Sequence, residues 1–167
     1  MQQKDLDARW VKKNSISYYC YKNRICIGVD HGFIRSYAFT PANVHDSQML
    51  SHLLDPENNK HDYVWADSTY SGECFSDLLN LGGFECLIQE NGAHNHPLSD
   101  AAKELNRIKY SIRACVEHVF GFMSMSMGGK LTRKIGLQRN QTWWGLKNLT
   151  FNFLRYLRCS VLMAAVP

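Results

Sequence analysis

Apolar residues fall along this chain in two rhythms. In the first half they come in short runs bounded by turn residues. Ser17 to Val29 is rich in Tyr, Ile, Cys and Val, a strand composition. Asp30-His-Gly32 is a turn signal, and Phe33 to Thr40 follows as its antiparallel partner. Pro41 to Asp46 is a loop, with Asp46 or Ser47 placed to cap a short helix over Gln48–Leu54. Tyr63–Ala66 and Phe84–Ile88 read as short buried strands. Between them, Ser71-Gly-Glu opens a helix that runs to about Leu81 and stops at Gly82-Gly83. Residues 1–16 are polar and read as a loop or an incomplete leading element, and Gln89–Pro97 as a polar loop.

The second half changes period. From Leu98, the residues Leu105, Ile108, Ile112, Val116, Val119 and Met123 recur at steps of three and four, the stripe of an amphipathic helix. Asn106, Tyr110, Arg113 and Glu117 share a second, polar stripe, roughly 100–120° around the same axis. Gly128-Gly129 closes this helix. Trp143 to Met163 reads as a last helix, with Leu146, Leu149, Phe153, Leu157 and Val161 as its core face. The order β-β-α-β-α-β-α-α predicts one α/β domain. No repeat, low-complexity tract or linker divides it.

Charge sharpens the picture. Residues 1–100 carry 8 Lys/Arg against 13 Asp/Glu; residues 101–167 carry 11 against 2. The net +4 therefore conceals an acidic half and a basic half, and a basic half suits a polyanion such as DNA. A merely solvated basic face is the alternative. With 45% apolar and 20% charged residues the composition is that of a folded protein. No apolar run approaches the roughly 20 residues of a membrane helix, and the polar start is no signal peptide. The six scattered cysteines form no CxxC pair and read as reduced thiols of a cytosolic protein.

The candidate chemistry lies in carboxylates. Asp67 follows the apolar run Tyr63–Ala66, and Glu117 sits on the helix fifty residues later. A carboxylate at a strand end and another on a helix is an arrangement that holds divalent cations. Each also has an ordinary reading: Asp67 as a turn or cap residue, Glu117 as the ion-pair partner of Arg113 four residues before it. His118 and the His94/His96 pair lack a third ligand at zinc spacing. His45-Asp46 reads as structural or near the site rather than as a ligand. Lys130, Arg133, Lys134 and Arg139 are suited to a phosphate backbone. Trp143 and Trp144 suit base stacking, or core packing for at least one of them.

Seven stretches resemble those of bacterial insertion-sequence transposases of the DDE class, of the insertion-sequence-five-like group. They are Lys4-Asp-Leu-Asp-Ala-Arg-Trp-Val-Lys-Lys13, Tyr18-Tyr-Cys-Tyr-Lys-Asn23, Thr40-Pro-Ala-Asn-Val-His-Asp-Ser-Gln48, Val64-Trp-Ala-Asp-Ser-Thr-Tyr70, Ile112-Arg-Ala-Cys-Val-Glu-His-Val-Phe-Gly121, Met127-Gly-Gly-Lys130 and Gly145-Leu-Lys-Asn-Leu149. They run nearly end to end in the family's order.

The resemblance implies an RNase H-like mixed sheet flanked by helices. It also implies two Asp and one Glu holding two Mg²⁺ ions, with Mn²⁺ as a substitute, for cleavage and strand transfer of DNA. Asp67 then matches the second Asp and Glu117 the Glu, with Tyr110 and Arg113 as auxiliary residues. The family's signature places a Lys where this chain has Ser124, a role Lys130 covers in part.

The first catalytic Asp of the family lies on a central strand just ahead of the segment that begins here at Lys4. Asp30 is a poor substitute, and Asp5 and Asp7 come too early to sit on a formed strand. A single partial catalytic domain over residues 1–167 is therefore expected, from a split reading frame or a degenerate copy. It would be a homo-oligomer, DNA-bound in the nucleoid, with an upstream fragment as a possible partner in trans. The alternative is a non-catalytic DNA-binding or dimerising remnant. With the central strand missing, marginal stability, self-association or a compensating strand from residues 5–13 follows.

Overall fold

The computed structural model describes residues 4–55, 57, 63–66, 79, 82–87 and 98–164. Within them the fold is mixed α/β, with an open antiparallel sheet flanked by helices. Strand β1 (Arg9–Lys13) pairs antiparallel with the first part of β2 (Ile16–Ile27), and β3 (Ile34–Pro41) with the rest of it. Asn14 and Ser15 join β1 to β2 with positive φ at both, the geometry of a tight two-residue hairpin. A polar leading segment thus becomes a strand, because pairing with β2 satisfies its backbone. The turn after β2 passes through Gly32 at φ 67°, where L side chains are strained.

A single 3-10 turn, Asp46–Met49, leads into the short helix α1 (Leu50–Leu53). No side chain caps α1: Asp46 does not serve as its N-cap, because its carboxylate is bonded elsewhere. Arg24, buried in β2, gives Nε to Asp46 at 2.9 Å, Nη1 to Thr40 Oγ1 at 2.7 Å and Nη2 to the Val44 carbonyl at 2.7 Å. Lys22 Nζ adds a second cation 3.1 Å from the same Asp46 oxygen. The loop after β3 is therefore folded over the outer face of β2 by one carboxylate.

Strands β4 (Tyr63–Val64) and β5 (Glu85–Cys86) form a separate parallel pair, shorter than the runs around them predicted. The predicted helix 71–81 lies outside the described residues apart from Leu79, as does the loop 89–97 apart from its flanks. Two clusters make up the described core. Ile25 and Ile34 pack with Val119 and Met123; Leu50 packs with Leu79 and Phe84. Among the described residues no strand bridges the two sheets.

Helix α2 (Asp100–Ser126) starts at Ser99, whose Oγ accepts from the Ala102 amide at 3.2 Å. Gly128 and Gly129, both at positive φ, end it as expected. Only the second half of its apolar stripe is covered: Val119 and Met123 are buried, Leu105 and Ile108 exposed.

Helix α3 (Leu137–Ala164) begins six residues before its predicted start. Asp5 and Asp7 explain why. Asp7 accepts from the Leu137 amide at 2.8 Å and Asp5 from the Gly136 amide at 3.1 Å, so two carboxylates meet the positive end of the helix dipole. Asp5 also accepts from Tyr21 Oη at 2.7 Å.

The predicted core face of α3 is contradicted. Leu146, Leu149, Phe153, Leu157 and Val161 are 50–68% exposed, whereas Asn140, Lys147 and Asn148 are 0%, 6% and 3% exposed. The polar face turns inward because its side chains find hydrogen-bond partners there, though Asn140 Oδ1 and Asn148 Nδ2 have none among the described residues. Asn152 both accepts from the Ile34 amide, at 2.9 Å, and donates to its carbonyl, at 2.8 Å. Arg155 Nε donates to the His31 carbonyl, and Asn23 donates to Asn148. Apolar contact comes from Trp144 and Phe151 at the edge of the first core cluster.

Gly145 is where α3 comes closest to β3. A Cβ there would sit 2.5 Å from Tyr37 Oη and 3.2 Å from Cζ. Alanine is the better helix former, yet Gly145→Ala is expected to destabilise the protein by about 1–3 kcal/mol, because the overlap outweighs a propensity gain of about 1. Tyr37→Phe in the same chain should restore part of the loss. Urea unfolding of the four chains of this cycle measures it, and a stabilised Gly145→Ala chain would contradict the close approach.

Acid stability follows from the two buried-edge carboxylates. Burial pushes Asp5 and Asp46 up, but hydrogen bonds outweigh it. Tyr21, Gly136, Asp7 and Ala8 hold Asp5, and Lys22 and Arg24 hold Asp46, so both lie below the ordinary 3.8. A group whose folded value is depressed stabilises fully above its unfolded value, and that stabilisation is lost as pH falls through the folded one. Unfolding free energy is therefore expected to drop as pH falls below about 4. The drop should be shallower in Asp46→Asn, and modest in size since Asp46 is partly solvated. An Asp46→Asn chain with an unchanged acid slope would exclude this linkage.

Candidate functional site

The two core clusters do not meet. Between them lies a cleft of about 630 Å³. One wall is the end of β2 and its turn, Ile25 to Asp30, where pairing with β3 slips register between Cys26 and Ile27. The opposite wall is Tyr63–Ala66 with Phe84, and Leu50, Leu53 and Leu54 close a third side. Helix α2 presents Ile112, Arg113, Val116 and Glu117 to the same cleft. The interior is apolar and the rim is charged, the make-up of a cleft that orients a polar ligand.

Glu117 stands on this rim, with just over half of its side chain exposed. Arg113 Nη2 donates to its Oε1 at 3.2 Å, the i,i+4 pair read from the sequence. The Arg113 guanidinium also lies 5.3 Å from the centre of the Tyr110 ring, a cation–π distance. The polar stripe is thus a stack: Tyr110 backs Arg113, and Arg113 orients Glu117.

Asp67 lies outside the described residues, but Ala66, its chain neighbour, lines the cleft. Asp30 and Asp46 line it too, Asp46 with its carboxylate held by two cations. Asp5 and Asp7 are occupied at the start of α3. Among the described residues no group of three or more His, Cys, Asp or Glu is arranged to hold a metal ion. His118 is exposed on α2, and His94 and His96 fall outside the described residues. The thiols of Cys20, Cys26, Cys115 and Cys159 are free.

A second feature begins where α2 ends. From His118 onward the chain has seven Lys/Arg and no Asp or Glu. Lys130, Arg133, Lys134 and Arg139 are all exposed. The segment that carries the first three is pinned to α3. Lys147 Nζ donates to the Gly129 carbonyl at 2.8 Å, and Asn140 Nδ2 donates to the Lys134 and Gly136 carbonyls, both at 2.9 Å. Lys134 Nζ sits 3.7 Å over the Trp143 ring, and Lys147 lies 4.8 Å from the centre of Trp144.

Burial, and to a lesser degree Lys134, pushes the Lys147 amine below its ordinary range. Trp144 packs against the core, as expected for at least one of the two tryptophans, and Trp143 is the more exposed. Lys147 and Asn140 are supports of this segment that sequence reasoning missed; only Lys147 falls within a family-like stretch, Gly145–Leu149.

No helix among the described residues is long and apolar enough to cross a membrane. No solved structure matches the chain. The transposase for insertion sequence element IS1106 of Neisseria meningitidis serogroup B is 28% identical over 154 residues, covering 91% of this chain and 52% of that protein. The chain thus spans about half the length of this relative. A family model described as the transposase DDE domain matches residues 1–153, so the cleft, the Tyr110–Arg113–Glu117 stack and the basic tract belong to a chain of the DDE transposase family.

Proposed function

We propose that this chain is a DNA-binding part of an insertion-sequence transposase and that it does not cut DNA on its own. What supports the first half is the stretch after Glu117: seven cations, no carboxylate, and a basic segment fixed in place by Lys147 and Asn140. Four exposed cations, Lys130, Arg133, Lys134 and Arg139, give a sequence-independent grip on phosphates through counterion release. Pinning the segment beforehand lowers the ordering cost of binding.

What supports the second half is the donor set. A two-ion centre needs several carboxylates converging on one point. Among the described residues the cleft offers Asp30, Glu117, tied to Arg113, and Asp46, tied to Lys22 and Arg24, and these three are not grouped to hold a metal ion. That set does not fit a pair of Mg²⁺ ions, and no catalytic step is assigned through them.

One observation favours a second reading: Ala66 and Glu117 line the same cleft, which puts the chain position next to Asp67 on that wall. In this reading Asp67 and Glu117 are two ligands of an RNase H-like centre for Mg²⁺ or Mn²⁺, with Tyr110 and Arg113 positioning Glu117. A further carboxylate then comes from an upstream fragment in trans.

Binding to a labelled duplex, read by fluorescence anisotropy between low and moderate salt, is expected to show log K falling against log salt. The expected slope is about −3 to −4, as for roughly four neutralised phosphates. Lys130→Ala with Arg133→Ala should flatten that slope by about 2. Salt-independent binding, or an unchanged slope in the double variant, counts against the basic tract.

Nicking of supercoiled plasmid with Mg²⁺ or Mn²⁺ tests the rest. The chain alone is expected to leave the plasmid intact. Nicking that disappears in Glu117→Ala would overturn the non-catalytic reading. Nicking that appears only with an added upstream fragment, and is lost in Asp67→Ala and Glu117→Ala, favours the second.

A further inference from the structure

Helix α3 packs against the sheet and α2 by one side only. At 100° per residue, Asn140, Trp144, Lys147, Asn148, Phe151, Asn152 and Arg155 cluster on one side. Leu146, Leu149, Phe153 and Leu157 lie on the diametrically opposite side. Four large apolar side chains in line over three turns, with Val161 one turn on, make a continuous stripe rather than scattered exposure.

We propose that this stripe is the interface with a second copy of the chain, joined by antiparallel packing of α3 on α3. Two features select a second copy. The first is symmetry. A two-fold axis needs a patch that complements itself, and the apolar positions are nearly palindromic about Phe153. Leu149 and Leu157 lie four residues to either side, Leu146 and Val161 seven and eight. Antiparallel pairing therefore stacks the two Phe153 rings and sets Leu149 against Leu157 of the other copy.

The second feature is charge. The cations between Leu146 and Val161 are Lys147, Arg155 and Arg158, and all three are turned to their own chain. Lys147 donates to Gly129, Arg155 to His31, and Arg158 lies over the Phe122 ring at 5.1 Å. Two basic helices can approach along this seam without like charges meeting. The stripe from Leu146 to Leu157 is separate from the cleft and from Lys130, Arg133 and Lys134, so the proposal does not depend on either reading of function.

Sedimentation equilibrium of the full 167-residue chain at micromolar concentration tests it. A dimer is expected, and Phe153→Glu should weaken it by about thirty-fold or more, as loss of a central anchor does. Helicity by circular dichroism should stay unchanged, since the position is exposed. The register is tested by two double variants. Leu149→Glu with Leu157→Glu should give a monomer. Leu149→Glu with Leu157→Lys should dimerise again, because each Glu then faces a Lys of the other copy.

A monomeric wild-type chain, a dimer indifferent to Phe153→Glu, or equal behaviour of the two double variants would overturn the proposal. So would a chain that stays monomeric until a separately produced upstream transposase fragment is added and binds that fragment through Phe153, since the face would then belong to that fragment.

Discussion

Everything in this fold hangs on how the last helix is tied to the first residues. Asp5 and Asp7 accept from the amides that open α3, while Asn152 and Arg155 bond the backbone of the β2–β3 turn region a few turns later. The two ends of the chain are thereby closed on each other by polar bonds. A carboxylate accepting from a helix N-terminus gains from the dipole as well as from the hydrogen bond. An amide that replaces a missing strand partner satisfies a donor and an acceptor at once. These bonds fix the start of α3, and the start of α3 fixes the basic segment through Asn140 and Lys147. The surface proposed to hold DNA is thus a consequence of the cap.

The same constraint explains what could and could not be read from the sequence. Strands β2 and β3 and helix α2 were legible, because alternation and the three-four period report local geometry directly. Glu117 and Arg113 were legible as a pair for the same reason: four residues apart on a helix, they must be neighbours. The face of α3 was misread because periodicity identifies a stripe without saying what the stripe touches. Its polar side is inward only because partners more than a hundred residues away, at Asn23, His31 and Ile34, supply bonds. Asp5 and Asp7 were dismissed as too early for a strand, which was sound, but their actual role needs Gly136 and Leu137 in space. Asp46 was read as a cap of the short helix: a local cap competed with a buried guanidinium, and the guanidinium won because it is buried and charged.

The site was partly legible. That Glu117 shares a cleft with the end of β4 depends on the tertiary fold, and in the sequence only the family resemblance linked the two. What no local rule supplies is the cleft itself. It is the space between two clusters that fail to merge, with Ile25 and Val116 on one side and Leu50 and Phe84 on the other. Merged clusters would bury more apolar area and leave no room for a ligand. A cleft of this kind is costly in stability at about 25 cal/mol for each Å² of apolar wall left wet.

That cost bears on the exposed stripe of α3. A helix docked through amides and cations gains little from docking alone, since each internal hydrogen bond replaces one to water and nets about 1 kcal/mol. Burial of Trp144 and Phe151 adds to this, but most of the apolar surface of α3 faces away. The helix is then held mainly by bonds that choose its position and only weakly by burial that would stabilise it. Covering the outer stripe supplies the missing burial, at roughly 1.5–3 kcal/mol for each Leu or Phe fully removed from water. Docking and assembly are therefore coupled: pairing of α3 stabilises the helix that pins the basic segment.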